Sequence, residues 1–194
     1  MGMTLTERRR WSAAEVRRLI DEGAAHWPLC ELIDGELLVT AAPSPVHQLV
    51  LANLFRVLDE YVRRERLGRV LWSPADLELT PEHINQPDIF VVPAAGGPLP
   101  SSWREVKQLL LTVEVLSAST ARFDRVIKRA YYQRANVPEY WIIDIDARII
   151  ERWRLSDDRP EILDATLVWS VAGASAALEI HIDRIWDGLA RARR

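Results

Sequence analysis

Cysteine is almost missing from this chain of 194 residues. Cys30 stands alone, which excludes an internal disulfide and any zinc cage built on cysteines. Nowhere do apolar residues run for the roughly 18 uninterrupted positions that a membrane-crossing helix needs. The stretch from Met1 to Trp11 carries Arg8, Arg9 and Arg10 but no apolar signal core, so a cytoplasmic protein is expected. A surplus of positive charge is missing too. With 25 basic and 28 acidic residues the net charge is −3, and the chain as a whole is no polybasic nucleic-acid binder. There is no internal repeat, no G-x-S-x-G elbow, no P-loop and no dinucleotide fingerprint.

What is present describes an ordinary globular protein. At 48% hydrophobic and 27% charged, the chain is rich enough in apolar residues to bury a real core. Residues 1–11 are expected to form a flexible terminus and residues 12–190 a single domain.

The elements follow from local signals. Ser12-Ala-Ala-Glu15 is a capping box before the helically spaced Val16, Leu19 and Ile20, and Gly23 is placed to end that helix. Glu31 to Thr40 reads as a hairpin turning at Asp34-Gly35. Ser44-Pro45 opens a long helix reaching about Arg66, with Gly68 as its stop. Strands are expected at 69–72, 76–80, 88–92 and 109–116, and Pro93 to Ser102 reads as a loop. A second helix covers Thr120 to Asn136, with Ser117, Ser119 and Thr120 as cap residues. Further strands follow at 140–145, 149–155, 165–170 and 177–181. This order predicts a central mixed sheet with a helix on either side.

Charge is unevenly spread. Between Ala121 and Ala135, five bases face Asp124 alone, a local net of +4. Such a helix either faces phosphates or is simply solvated. At 100° per residue, Phe123, Val126, Ile127 and Ala130 form its buried side, and Arg122, Arg125 and Arg129 its solvent side. Asp124, Lys128, Tyr131 and Ala135 lie between them.

Three residues stand out chemically. Glu114 lies inside Leu109-Leu-Leu-Thr-Val-Glu-Val-Leu116, a strand apolar at both alternating sets of positions. A carboxylate buried there must be paired, hydrogen-bonded or metal-bound. Asp88 stands at the mouth of the apolar strand Ile89-Phe-Val-Val92 and is either a turn residue or a ligand. Lys128 follows Asp124 at helical spacing, which alone explains a simple ion pair. Two carboxylates on adjacent strands repel by roughly 4 kcal/mol at about 4 Å in an effective dielectric near 20. A divalent cation relieves that repulsion, and a neighbouring lysine stabilises charge developing at phosphorus. Trp141, among isoleucines on a strand, is read as core rather than as a base-stacking platform, and the eight tryptophans are scattered.

Taken together, Pro87-Asp88, Val113-Glu-Val-Leu-Ser117, Asp124 with Lys128, and Glu139-Tyr-Trp141 resemble the Uma-two family of restriction-endonuclease-type proteins, within the PD-(D/E)XK nuclease superfamily. Glu31-Leu-Ile-Asp-Gly-Glu36 and Ser44-Pro-Val-His47 fit the same family. The resemblance runs from about Ala14 to Leu189. It implies an α/β restriction-endonuclease-like core of αβββαβ order, here with an N-terminal helix and hairpin and extra C-terminal strands. It also implies that Asp88 and Glu114 bind the metal, Mg²⁺ or Mn²⁺. Leu116 occupies the position of the usual E-x-K lysine, and Lys128 is the candidate that takes over that role.

Glu31 is either a further metal-site carboxylate or an exposed strand residue. His47 either caps Ser44, fills a pocket or acts in catalysis. Asp124 either positions Lys128 or contributes outer contacts to the metal site. The resulting expectation is a metal-dependent endonuclease acting on DNA as a homodimer. The alternative is an inactive nuclease fold serving as a binding or regulatory module.

Overall fold

In the computed structural model, which describes residues 9–20, 22, 29–40, 42–94, 101–117 and 120–189, the expected helix starts are true caps. Ser12 caps α1 (Ala13–Leu19): its hydroxyl accepts from the Glu15 N–H, and the Glu15 carboxylate accepts from the Ser12 N–H. Trp11 N–H donates to the Gly35 carbonyl at 3.0 Å, tying this end to the hairpin tip. Gly23, Ser119, the first eight residues of the expected terminus and the middle of the 93–102 loop lie outside the described residues.

The hairpin pairs β1 (Leu29–Ile33) with β2 (Glu36–Thr40). Asp34 and Gly35 take φ values of 51° and 78°, the left-handed pair that a two-residue turn demands. Ser44 then caps α2 (Pro45–Arg64) by accepting from the His47 N–H at 3.2 Å.

α2 ends before the expected Arg66, and Gly68 is not its stop. Arg66 makes the exit at a φ of 55°. Gly68 instead begins β3 (Gly68–Trp72), where an added Cβ would lie 1.9 Å from the Val92 carbonyl oxygen. Only glycine lets the next strand pass so close.

Six strands form the central mixed sheet, in the order β3-β4-β5-β6-β7-β8. The remaining members are β4 (Ile89–Pro93), β5 (Leu111–Val115), β6 (Glu139–Asp144), β7 (Ile149–Arg154) and β8 (Glu161–Leu163). Only β5 and β6 run parallel. β9 (Thr166–Trp169) and β10 (Leu178–His181) make a separate antiparallel pair. The strand expected at 76–80 is an irregular excursion with a single bridge, Leu77 to Asn85. Its alternation was meaningful, since Ala75, Leu77 and Leu79 are buried, but the sheet offers it no neighbour to pair along.

The second helix departs most from expectation. A π-helical stretch, Phe123–Lys128, leads directly into α3 (Arg129–Arg134). Its wider turn rotates each residue by less than 100°, so the simple wheel misplaces the faces. Asp124, Lys128, Tyr131 and Tyr132 are buried, whereas Val126 is 46% exposed. Arg125, assigned to solvent, pairs with Asp144 and Glu151. Ser117 and Thr120 do form the turn ahead of this helix, with their hydroxyls 2.9 Å apart.

One sheet face packs against α2, with Val50, Leu54 and Leu58 meeting Ile89, Val113 and Trp141. Trp141 is fully buried there, edge-on to Trp169, as its core assignment requires. The other face carries Phe90, Tyr140 and Ile142 beneath Tyr131 and Tyr132. α1 joins the hairpin in a small cluster around Val16, Leu32 and Ile84. No helix among the described residues is long and apolar enough to cross a membrane.

Candidate active site

Strand register brings the two expected carboxylates together. Ile89 of β4 pairs with Val113 of β5, so one further step along the antiparallel ladder sets Asp88 opposite Glu114. Asp88 also reaches across to β5, its Oδ2 accepting from the Val115 N–H at 2.8 Å. Glu114 lies beside Ile142 of β6, on the face that α3 covers. Both acids line one cleft of about 990 Å³, together with Glu31, His47, Asp124 and Lys128.

Lys128 is the hub of this cleft. Its Nζ lies 2.9 Å from Glu114 Oε1, 2.9 Å from Glu31 Oε2 and 3.6 Å from Asp124 Oδ1. Burial alone would favour the neutral amine. The charges of Glu114, Glu31 and Asp124 outweigh it and raise the Lys128 pKa well above its usual value, so the group is an ammonium. It therefore serves as a fixed positive charge and donor, not as a base.

Glu31 is buried rather than exposed on its strand. It ties the hairpin to the site, because its Oε1 also accepts from the Gln86 N–H at 2.8 Å. Burial raises its carboxyl above the usual range against the pull of Lys128. Burial raises Glu114 well above that range, again opposed by Lys128 and reinforced by the charges of Asp88, Asp124 and Glu31. Asp124 is raised likewise by burial, with Lys128 opposing.

His47 does not supply the cap of α2. Its backbone is the group capped by Ser44, and its ring Nε2 lies 3.2 Å from Asp88 Oδ2. Burial works to lower the His47 pKa, but the hydrogen bond and charge of Asp88 prevail and raise it. His47 Nδ1 and Asp124 Oδ1 are buried without a hydrogen-bond partner among the described residues.

Several contributors were not singled out in the sequence. Tyr132 OH donates to Glu114 Oε1 at 3.1 Å and accepts from Asn85 Nδ2 at 3.0 Å; Asn85 Oδ1 in turn accepts from Tyr131 OH at 3.1 Å. Tyr132 follows Lys128 by four residues, a spacing that places it on the same helix face. Asn85 and Gln86 carried no such signal, since they come from the irregular excursion. Arg125 lines the cleft wall with its two carboxylate partners.

The donor set fits a hard divalent cation. The cleft gathers the carboxyls of Glu31, Asp88, Glu114 and Asp124 around a single ammonium, a set of oxygen donors whose ionised forms a divalent cation would favour. The hydrogen bonds of Asp88 and Glu114 use Oδ2 and Oε1, leaving the other oxygen of each without one among the described residues. No three His, Cys, Asp or Glu side chains among the described residues form a ready cage. Mg²⁺ needs only one or two carboxylates and keeps its waters, so Asp88 with Glu114 is the pair that could take it.

Element order from α2 through β6 is αβββαβ, and the fold has a solved counterpart. A crystal structure of a protein described as a putative nuclease belonging to DUF820, from Anabaena variabilis ATCC 29413, superposes with a TM-score of 0.66 at 19% identity. The match covers 82% of this chain and 90% of that one, which shows that the two share a fold. The chain belongs to the Uma2 family, described as putative restriction endonucleases, whose family model matches residues 13–181. Among curated proteins, none matches the chain.

Proposed function

We propose that this protein is a metal-dependent endonuclease that hydrolyses phosphodiester bonds in DNA. The observation that carries this reading is the strand register that sets Asp88 next to Glu114, beside the buried ammonium of Lys128, all lining one cleft. Asp88 and Glu114 would hold Mg²⁺ or Mn²⁺ through their free oxygens. When bound, the ion supplies Lewis acidity and lowers the pKa of a coordinated water. Lys128 holds a permanent positive charge beside Glu114, where it orients a nucleophilic water and offsets charge building up on the phosphate. Glu31 and Asp124 fix the lysine from two further sides. Tyr132 fixes the Glu114 carboxylate by donating to it. His47 does the same for Asp88.

Plasmid nicking tests this reading. Wild type is expected to nick supercoiled DNA with Mg²⁺ or Mn²⁺ and to stop in EDTA, while Asp88→Ala and Glu114→Ala lose the activity. Nicking that survives both substitutions rejects the site. Pairing of two copies would present two such clefts to the two strands of a target, and light scattering reads that homodimer directly.

One observation favours the inactive binding or regulatory module. Lys128 is held by Glu114, Glu31 and Asp124 with no lysine at position 116 to share its work. Calorimetry separates the two readings, since an inert module binds neither ion at millimolar concentration.

A further inference from the structure

The cleft does not end at the carboxylates. Its wall continues along Val46, Leu51 and Trp72. His47, Leu51 and Phe55 follow one another at four-residue spacing on α2, so they form a single stripe leading away from Asp88. Trp72 stands at the end of this stripe, its ring edge-on to Phe55 with centroids 4.8 Å apart. Trp72 also pairs with Ile89, the residue next to Asp88, and the N–H of the following Ser73 donates to the Asp88 carbonyl at 3.2 Å. The indole is thereby anchored one strand away from the candidate metal ligands.

Trp72 is 57% exposed, although the other inward-facing side chain of its strand, Val70, is 4% exposed. With the half-exposed Val46 and with Leu51 beside it, the open indole makes an apolar shelf along one wall of the cleft, a surface suited to a ligand with an apolar face. The cleft's two lining cations are both engaged, Lys128 by Glu31 and Glu114, and Arg125 by Asp144 and Glu151. Apart from a bound ion, these paired groups offer a substrate strand little free positive charge, and an aromatic hold adds grip that does not depend on charge. Stacking on an aromatic side chain provides such grip, and it is open only to a base that has left its helical stack.

Building on the nuclease reading, we infer that Trp72 is the stacking platform for an unpaired nucleobase of the substrate strand, so that the cleft selects single-stranded or locally unpaired DNA over continuous duplex. Phe55 and Leu51 support the ring from α2. The neighbouring phosphate then lies toward Asp88 and Glu114.

Fluorescence anisotropy tests this with a fluorescein-labelled DNA 16-mer of mixed sequence, as a single strand and as a duplex. The 194-residue chain is used with Ca²⁺, and gels check that the DNA stays intact. Wild type is expected to bind the single strand more tightly than the duplex. Trp72→Ala should weaken single-strand binding by about ten-fold, while Trp72→Phe retains most of it. Circular dichroism establishes that both variants are folded.

Equal binding by Trp72→Ala, or no binding of single strand by wild type, overturns the inference. So does a Trp72→Ala variant that splits a dimer in light scattering while its DNA affinity is unchanged, because the shelf is then a self-association face. The nicking assay reads the nuclease proposal separately. Metal-dependent nicking with Trp72-independent binding removes this inference alone. Trp72-dependent binding without nicking removes the nuclease reading and leaves the stacking site standing.

Discussion

On the α2 side of the central sheet, Val50, Leu54 and Leu58 meet Ile89, Val113 and Trp141, and every one of these side chains is apolar and fully buried. At the same depth on the α3 side lie Glu114, Lys128 and Tyr132, with Asn85 beneath them. One face gains its stability from removing apolar surface from water. The other, beside its own apolar residues Phe90 and Ile142, also holds charged and polar groups that are tolerable only while partnered. The contrast teaches that burial alone says nothing about role; the chemistry of what is buried decides it.

The largest effect that tests this contrast comes from Lys128→Met. Removing the ammonium leaves Glu31, Glu114 and Asp124 facing one another, and a loss of about 3–5 kcal/mol is expected in urea unfolding. Leu54→Ala on the opposite face should cost about 3 kcal/mol through lost transfer energy and a cavity. If Lys128→Met proves harmless while Leu54→Ala does not, the polar face is not held by its charge pairing.

Alkaline pH gives a smaller effect. Burial pushes the Tyr131 phenol up to about 12 from a usual value of 10.0. A folded-state pKa above the unfolded one gives stability that is fully present below pH 10 and is lost as pH rises through about 12. The difference is worth about 2–3 kcal/mol. Tyr132 and Tyr140 are raised by burial as well, so Tyr131→Phe should make the fall over that window shallower without removing it, and an unchanged slope would show that Tyr131 does not contribute.

Much of this architecture was readable in the residues. Ser12, Ser44 and Asp34-Gly35 mark their caps and turn because the local geometry needs those side chains and no distant contact alters it. Glu114 announced itself because a carboxylate in a doubly apolar strand has few uses. The π-helical stretch was not readable, since its wider turn breaks the 100° arithmetic on which a helical wheel depends. Asn85 and Gln86 escaped notice for another reason. Their segment has no period of its own and takes its shape from the hairpin and helix around it. Arg125 looked solvated because its partners, Asp144 and Glu151, come from strands that follow it in the chain.

Glu31 comes to the cleft on a hairpin that is attached to the rest of the molecule by the paired backbone of Leu32 and Ile84. Nearly one hundred positions of chain separate it from the ammonium it touches. Lys128 and Glu114 come from neighbouring parts of the chain, so the third partner depends on a hairpin contributed from far away. A change that loosens Leu32 from Ile84 would therefore reach the ammonium through Glu31, although neither of those two residues lines the cleft.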